Sequence, residues 1–141
     1  MLQLSIFLEN AKGRLAEVLN ILAELNVNIR ALSLADTKDY GVLRIIVEDP
    51  ETIARELKKK DCIVKLTKVW TLKVPDRPGG LAEVLNKLVM EDVIVEYMYA
   101  FVGKSENQAL VILRVEDSDK AVSVLKENNI CVLSAEQVYS L

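Results

Sequence analysis

The residues best equipped to hold a ligand are Asp76-Arg77-Pro78-Gly79-Gly80-Leu81, a run with one carboxylate, one guanidinium and two adjacent glycines ahead of an apolar stripe. Pro75, Pro78, Gly79 and Gly80 interrupt regular pairing and supply turn geometry, while Leu81, Val84, Leu85 and Leu88 recur at helical spacing. The pattern predicts a strand ending at Val74, a tight loop, and a helix whose first backbone N–H groups point at whatever sits above it. A small anion is the natural guest of such donors. Acid–base and nucleophilic chemistry has little to draw on. The chain contains no histidine, and Cys62 and Cys131 have neither a metal-binding nor a redox spacing. No catalytic residue, metal ligand or cofactor is expected, and both cysteines read as small buried hydrophobes that open the last strand of their half.

The loop is one of a pair. Leu15-Ala16-Glu17-Val18-Leu19-Asn20 recurs letter for letter at Leu81 to Asn86, a shift of 66 (81 minus 15), and Val47-Glu48-Asp49 recurs at Val115 to Asp117, a shift of 68 (115 minus 47). The chain is therefore a duplicated unit, with two extra residues in the second copy around Gly103 to Gln108. In the first copy, Leu2 to Leu8 alternates as a strand, Leu15 to Leu25 recurs as a helix, and Val27 to Ala35 returns to period two. Asp36-Thr37-Lys38-Asp39 turns into the apolar run Val42 to Val47; Asp49-Pro50-Glu51 starts a second helix ending in Lys58-Lys59-Lys60, and Cys62 to Leu66 is the last strand. The second copy repeats the order with strand Val69 to Val74, helix Gly80 to Glu91, strands Val93 to Val102 and Ala109 to Val115, helix Ser118 to Asn128 and strand Ile130 to Val138. This β-α-β-β-α-β order predicts an α+β fold: two ferredoxin-like units, 1–67 and 68–141, packed side by side, each an antiparallel sheet with helices on one face.

Composition excludes several function classes. With 51% hydrophobic and 28% charged residues the chain is globular, and a net charge of -3 with Lys and Glu interleaved offers no basic field for nucleic acid. Met1-Leu2-Gln3-Leu4-Ser5-Ile6 lacks the features of a leader, and no apolar run reaches the length of a membrane span, so a cytoplasmic protein is expected. An acylphosphatase-like enzyme on this topology would need an Arg in the first loop, as Arg77 or Arg14, with an Asn on the next strand. Asn28 fits, but Ile94 stands at its counterpart, so the constellation is not duplicated and no enzyme is expected. Tyr97, Tyr99 and Phe101 alternate on one face of a strand and read as core or interface, with Ile94, Met98 and Ala100 on the other. Ala109 to Val115 is apolar on both faces except at Arg114, which suggests that helix-free faces meet another chain in a homodimer.

Pro75-Asp76-Arg77-Pro78-Gly79-Gly80-Leu81-Ala82-Glu83-Val84-Leu85, with Val93-Ile94-Val95-Glu96-Tyr97 after it, resembles the signature of the ACT domain, a ferredoxin-like regulatory module. Glu9 to Leu19 followed by Val27-Asn28-Ile29-Arg30, together with Tyr40-Gly41-Val42-Leu43-Arg44, is similar to the same pattern, except that Lys12 and Arg14 replace the usual Pro and second small residue. The resemblance covers the whole chain and implies a stand-alone tandem ACT protein that senses a free amino acid and passes the signal to a partner enzyme or regulator. In that family the effector sits at a seam between units, held by the first loop of one and the second strand of the other. The implied ligand-binding residues are Asp76, Arg77, Pro78, Gly79, Gly80 and Leu81 with Asn28 and Ile29, and Asn10, Ala11, Gly13, Arg14 and Leu15 with Ile94. The amides of Gly79, Gly80 and Leu81, or of Gly13, Arg14 and Leu15, would take the carboxylate, and Asp76 or Asn10 the ammonium. Pairing within one chain makes the Asp76–Asn28 site the strong one; pairing across chains unites Asn10 with Asn28 instead. The glycines serve a turn equally well, Asp76 suits a helix cap, Asn28 suits a helix-ending turn, and an assembly subunit without ligand is the competing reading.

Overall fold

Alternation in Leu2–Glu9 (β1) places Leu4, Ile6 and Leu8 in a buried cluster, and the helix Arg14–Glu24 (α1) lays Val18 and Leu22 over them. The computed structural model describes residues 1–36, 40–100 and 107–140. Strands Ala31–Asp36 (β2) and Tyr40–Ile46 (β3), helix Pro50–Lys59 (α2) and strand Ile63–Lys68 (β4) complete the first β-α-β-β-α-β unit. The second contains Trp70–Pro75 (β5), Gly80–Met90 (α3), Val95–Ala100 (β6), Gln108–Val115 (β7), Ser118–Glu127 (α4), Val132–Leu133 (β8) and a short helix, Ala135–Tyr139 (α5). The compact units are Leu2–Lys68 and Val69–Leu141 with Met1, whose amine donates to the Val69 carbonyl at 3.0 Å.

Each unit has one four-stranded antiparallel sheet, ordered β2-β3-β1-β4 and β6-β7-β5-β8. Leu43, Ile45 and Val47 join the helix-side core of the first, and Leu72, Val74, Val111, Leu113 and Val115 with Val84, Leu88 and Leu125 form that of the second. The α+β, ferredoxin-like tandem fold expected from the periodicities is the fold observed.

All four long helices stop in the same way. Asn26, Asp61, Asp92 and Asn129 adopt left-handed angles (φ 54, 59, 51 and 56) two residues past the last residue of the helix. The next residue then bonds back five positions: Val27 to Leu22, Cys62 to Leu57, Val93 to Leu88 and Ile130 to Leu125. Those back-bonded pairs are apolar and pack into the cores. The left-handed stop of α1 is thus Asn26, which removes the helix-ending role considered for Asn28.

This stop also corrects one expectation about the cysteines. Cys62 is buried because it follows the left-handed residue, but its counterpart is Ile130 (62 plus 68); Cys131 lies one position further, matches Ile63, and is exposed as Ile63 is. A second correction concerns the C-terminus, where the strand expected over Ile130 to Val138 ends after Leu133. Ser134 accepts from the Gln137 amide at 3.2 Å while the Gln137 side chain accepts from the Ser134 amide at 2.9 Å, a reciprocal cap that starts α5 and buries Val138. The Ser-x-x-Gln spacing was the signal for it.

A third difference lies in β6. A bulge between Val95 and Tyr97 resets its parity, so that Tyr97 and Tyr99 oppose Arg114 and Ile112, whereas Met98 and Ala100 oppose the core residues Leu113 and Val111. Ile94 precedes the strand and does not share their face by alternation. The turn residues Thr37 to Asp39, Phe101 and the insertion expected from Gly103 lie outside the described residues.

Candidate functional site

Both loops that follow the first strand of a unit have the same backbone, although their sequences differ. Ala11 N–H donates to Glu9 O (2.8 Å) and Arg14 N–H to Ala11 O (3.2 Å); Arg77 N–H donates to Pro75 O (3.0 Å) and Gly80 N–H to Arg77 O (3.0 Å). Gly13 and Gly79 then enter the left-handed region at φ 87 and 84, where a side chain would be strained, and lead into α1 and α3. The prolines of the second loop are therefore not needed for its path. Gly80 is required for another reason: a Cβ there would lie 2.1 Å from the Pro75 carbonyl oxygen.

Neither helix has a side-chain cap, which sets aside the capping role considered for Asp76. The Gly80 and Arg14 amides are spent inside the turns, so Gly80 is not one of the carboxylate donors the sequence suggested. Glu17 and Glu83 donate back to Gly13 and Gly79. Among the described residues this leaves the Leu15 and Ala16 amides, and those of Leu81 and Ala82, without a protein acceptor. These uncapped donors, strengthened by the helix dipole, are what an incoming carboxylate would meet.

Each loop also carries an arginine tied to the same helix position. Arg77 places one nitrogen 2.8 Å from both carboxylate oxygens of Glu83, and Arg14 lies 2.7 Å from Glu17, whose carboxylate raises the guanidinium above its ordinary pKa first by hydrogen bonding. Glu17 and Glu83 are equivalent (83 minus 66), yet the arginines come from different loop positions. Both pairs are exposed and act as loop braces of small energetic weight.

In the first unit the loop opens on a cleft of about 470 Å³ lined by Leu8, Glu9, Asn10, Ala11, Leu15, Leu34 and Gly41. Three of the sequence candidates, Asn10, Ala11 and Leu15, come together there. Gly13 lines a separate, shallow groove with Glu17, Glu24 and Lys60. Asn28 is exposed on the segment between α1 and β2, with Ile29 partly buried against the core beside it, and neither lines the cleft of its own unit. In the second unit Asp76, Arg77, Pro78 and Gly79 are exposed, Gly80 is buried, Leu81 packs on the core, and Ile94 is exposed. Sequence reasoning did not single out Leu8, Glu9, Leu34 or Gly41 as site residues; the register Leu8↔Gly41 is what brings them to the loop. Among the described residues no helix is long and apolar enough to cross a membrane, and no cluster of metal-ligating side chains is present.

The chain is 44% identical to protein BT0572 from Bacteroides thetaiotaomicron, whose crystal structure superposes with a TM-score of 0.91 over 99% of this chain and 96% of that one. The fold is also similar to that of the regulatory subunit of aspartate kinase from Thermus thermophilus in its ligand-free form, at 14% identity, a TM-score of 0.61 and coverage of 89% and 91%. Aspartate kinase from Clostridium acetobutylicum matches at 16% identity and a TM-score of 0.58 over 89% of this chain and 32% of its own. No curated protein matches. The match to the ACT domain pair runs over residues 1–141, and with the duplicated β-α-β-β-α-β order and the paired glycine-capped loops it shows that the chain belongs to the ACT domain pair family.

Proposed function

We propose that this protein is a regulatory subunit that binds a free amino acid at its first-unit loop and transmits the binding to a partner enzyme or regulator. The observation that carries the reading is the cleft of about 470 Å³ beside uncapped amides: a helix N-terminus for a carboxylate, Asn10 for an ammonium group, and apolar walls for a side chain. On the resemblance to ACT domains, pairing of first units from two copies of the chain would bring Asn28 of the second copy to this loop as a further polar group. The acidic chain lacks a basic surface for nucleic acid, in line with a small-molecule effector.

A thermal-shift panel over the common amino acids tests this. One or a few should raise the midpoint saturably, by the amount mass action requires, and Asn10→Ala should abolish the rise. No rise with any of them would overturn the reading.

A second reading, assembly without ligand, is favoured by the edge strand β2, where Leu32 and Leu34 are each 49% exposed on the helix side. The two readings share a prediction of self-association and part on the amino-acid panel.

A further inference from the structure

Among the described residues, nothing requires position 41 to be glycine. Its φ is not left-handed, unlike those of Gly13 and Gly79. A Cβ built on it would meet Ala35 O, Asn10 Oδ1 and Leu34 Cδ1, each at 3.7 Å, which is ordinary van der Waals contact, whereas Gly80 would clash at 2.1 Å. Gly41 sits inside a strand, where glycine weakens the chain and leaves nothing to pack, and such a residue often marks the close approach of a ligand. The second unit confirms that the position accepts a side chain: Ala109 stands at the same register, opposite Val74 as Gly41 is opposite Leu8.

The space left open faces the cleft. Gly41 opposes the core residue Leu8, so a side chain there would project to the helix side, between Asn10 and Leu34, both of which line the cavity. Leu8, Ala11, Leu15 and Leu34 give the cleft its aliphatic lining, Glu9 and Asn10 give it a polar side, and the space over residue 41 is bordered by Leu34 together with the Ala35 and Asn10 oxygens. At the matching positions the second unit has Val74, Arg77, Leu81 and Ala100, with Ala109 filling the floor.

We propose that Gly41 sets the size of the side chain admitted to the first-unit cleft, and that the cleft takes an α-amino acid with an aliphatic side chain. This rests on the amino-acid reading above. The carboxylate lies toward the Leu15 and Ala16 amides, and the aliphatic group occupies the volume that a residue-41 methyl would fill.

The test is calorimetric titration of the full chain and of Gly41→Ala and Gly41→Val with glycine, alanine, valine and leucine, together with the unfolding midpoint of each variant. Wild type should bind valine or leucine more tightly than glycine. Gly41→Ala should weaken the larger ligand about tenfold or more, the scale of one methylene in an apolar pocket, change alanine binding less, and keep or raise the midpoint. Gly41→Val should extend the loss to alanine. Undiminished binding in both variants, or an equal loss for every ligand, overturns the role of Gly41 and leaves amino-acid binding standing. A wild type that binds none of the four but responds to a polar amino acid overturns the aliphatic assignment alone, and a wild type that binds no amino acid overturns both.

Discussion

Two adjacent glycines in the second loop do different jobs. Gly79 has φ 84 with nothing within 4 Å of a built Cβ, so Gly79→Ala meets only backbone strain, about 1–2 kcal/mol. Gly80 has the opposite problem: its backbone angle is unexceptional, but a methyl would be driven into the Pro75 carbonyl, 2.1 Å away. Gly80→Ala should therefore cost about 1–3 kcal/mol through a shift of the loop, despite alanine's better helix propensity, and chemical denaturation of the two variants side by side reads the difference. The equivalent position in the first unit is Arg14 (80 minus 66), so a side chain at this point is compatible with the same hydrogen bonds when the preceding residues are Glu9 to Gly13 instead of Pro75 to Gly79.

At the scale of the element, helix ends carry most of the local specification. The helices that follow the glycine loops start without a side-chain cap, while α2 and α4 start on Asp49 and Asp117, which accept from the Thr52 amide (3.1 Å) and from the Asp119 and Lys120 amides (3.1 and 3.0 Å). The capped ends have their first amides satisfied by the aspartates, and on the amino-acid reading the uncapped ends keep theirs for a ligand. Asp49 is held below its ordinary pKa of 3.8, chiefly by the hydrogen bond with the Thr52 side chain and then by the Thr52 amide. A depressed carboxyl stabilises the fold above the unfolded pKa and loses that contribution as the pH falls through the folded value. Asp49→Ala should thus lower the unfolding midpoint at pH 7, and the gap to wild type should narrow progressively once the pH drops below 3.8. A gap that stays constant down to pH 2 would show that the charge of Asp49 contributes nothing.

At the scale of the whole molecule, association is governed by the exposed sheet edges. β2 and β6 are terminal strands of their sheets, and on β2 Leu32 and Leu34 are half-exposed on the helix side with no lysine or proline in the strand to discourage pairing. In the second unit Val89, Met90, Ile94 and Met98 are exposed within ten residues of one another. Such surface is characteristic of an interaction face, and association of two copies through these edges is the expected outcome. Light scattering over a dilution series should show a dimer that dissociates only at low concentration, and replacing Leu32 and Leu34 together by lysine should shift the chain to monomer with little loss of stability, since neither side chain is in the core. A chain that stays monomeric at every concentration would remove the edge-pairing account.

The periodicities, the repeat at shifts of 66 and 68, and the glycine-bearing loops determined the ferredoxin-like tandem fold from sequence alone, because helix and strand each stamp their own spacing on apolar residues. Helix ends were legible where the cap is local, as at Asp49-Pro50, and the capping box of Ser134 and Gln137 was equally local but hidden by the apolar run before it. What the sequence could not settle depends on register. Cys131 is one residue out of phase with Cys62 because of the helix stop, and the bulge at Val95 to Tyr97 puts Met98 and Ala100, not Tyr97 and Tyr99, on the face of Val95. The candidate site divides in the same way. Asn10 and the uncapped helix start are adjacent in sequence and could be read there, whereas Leu34 and Gly41 reach the cleft only because β3 pairs with both β1 and β2, a non-local pairing that tertiary structure alone decides.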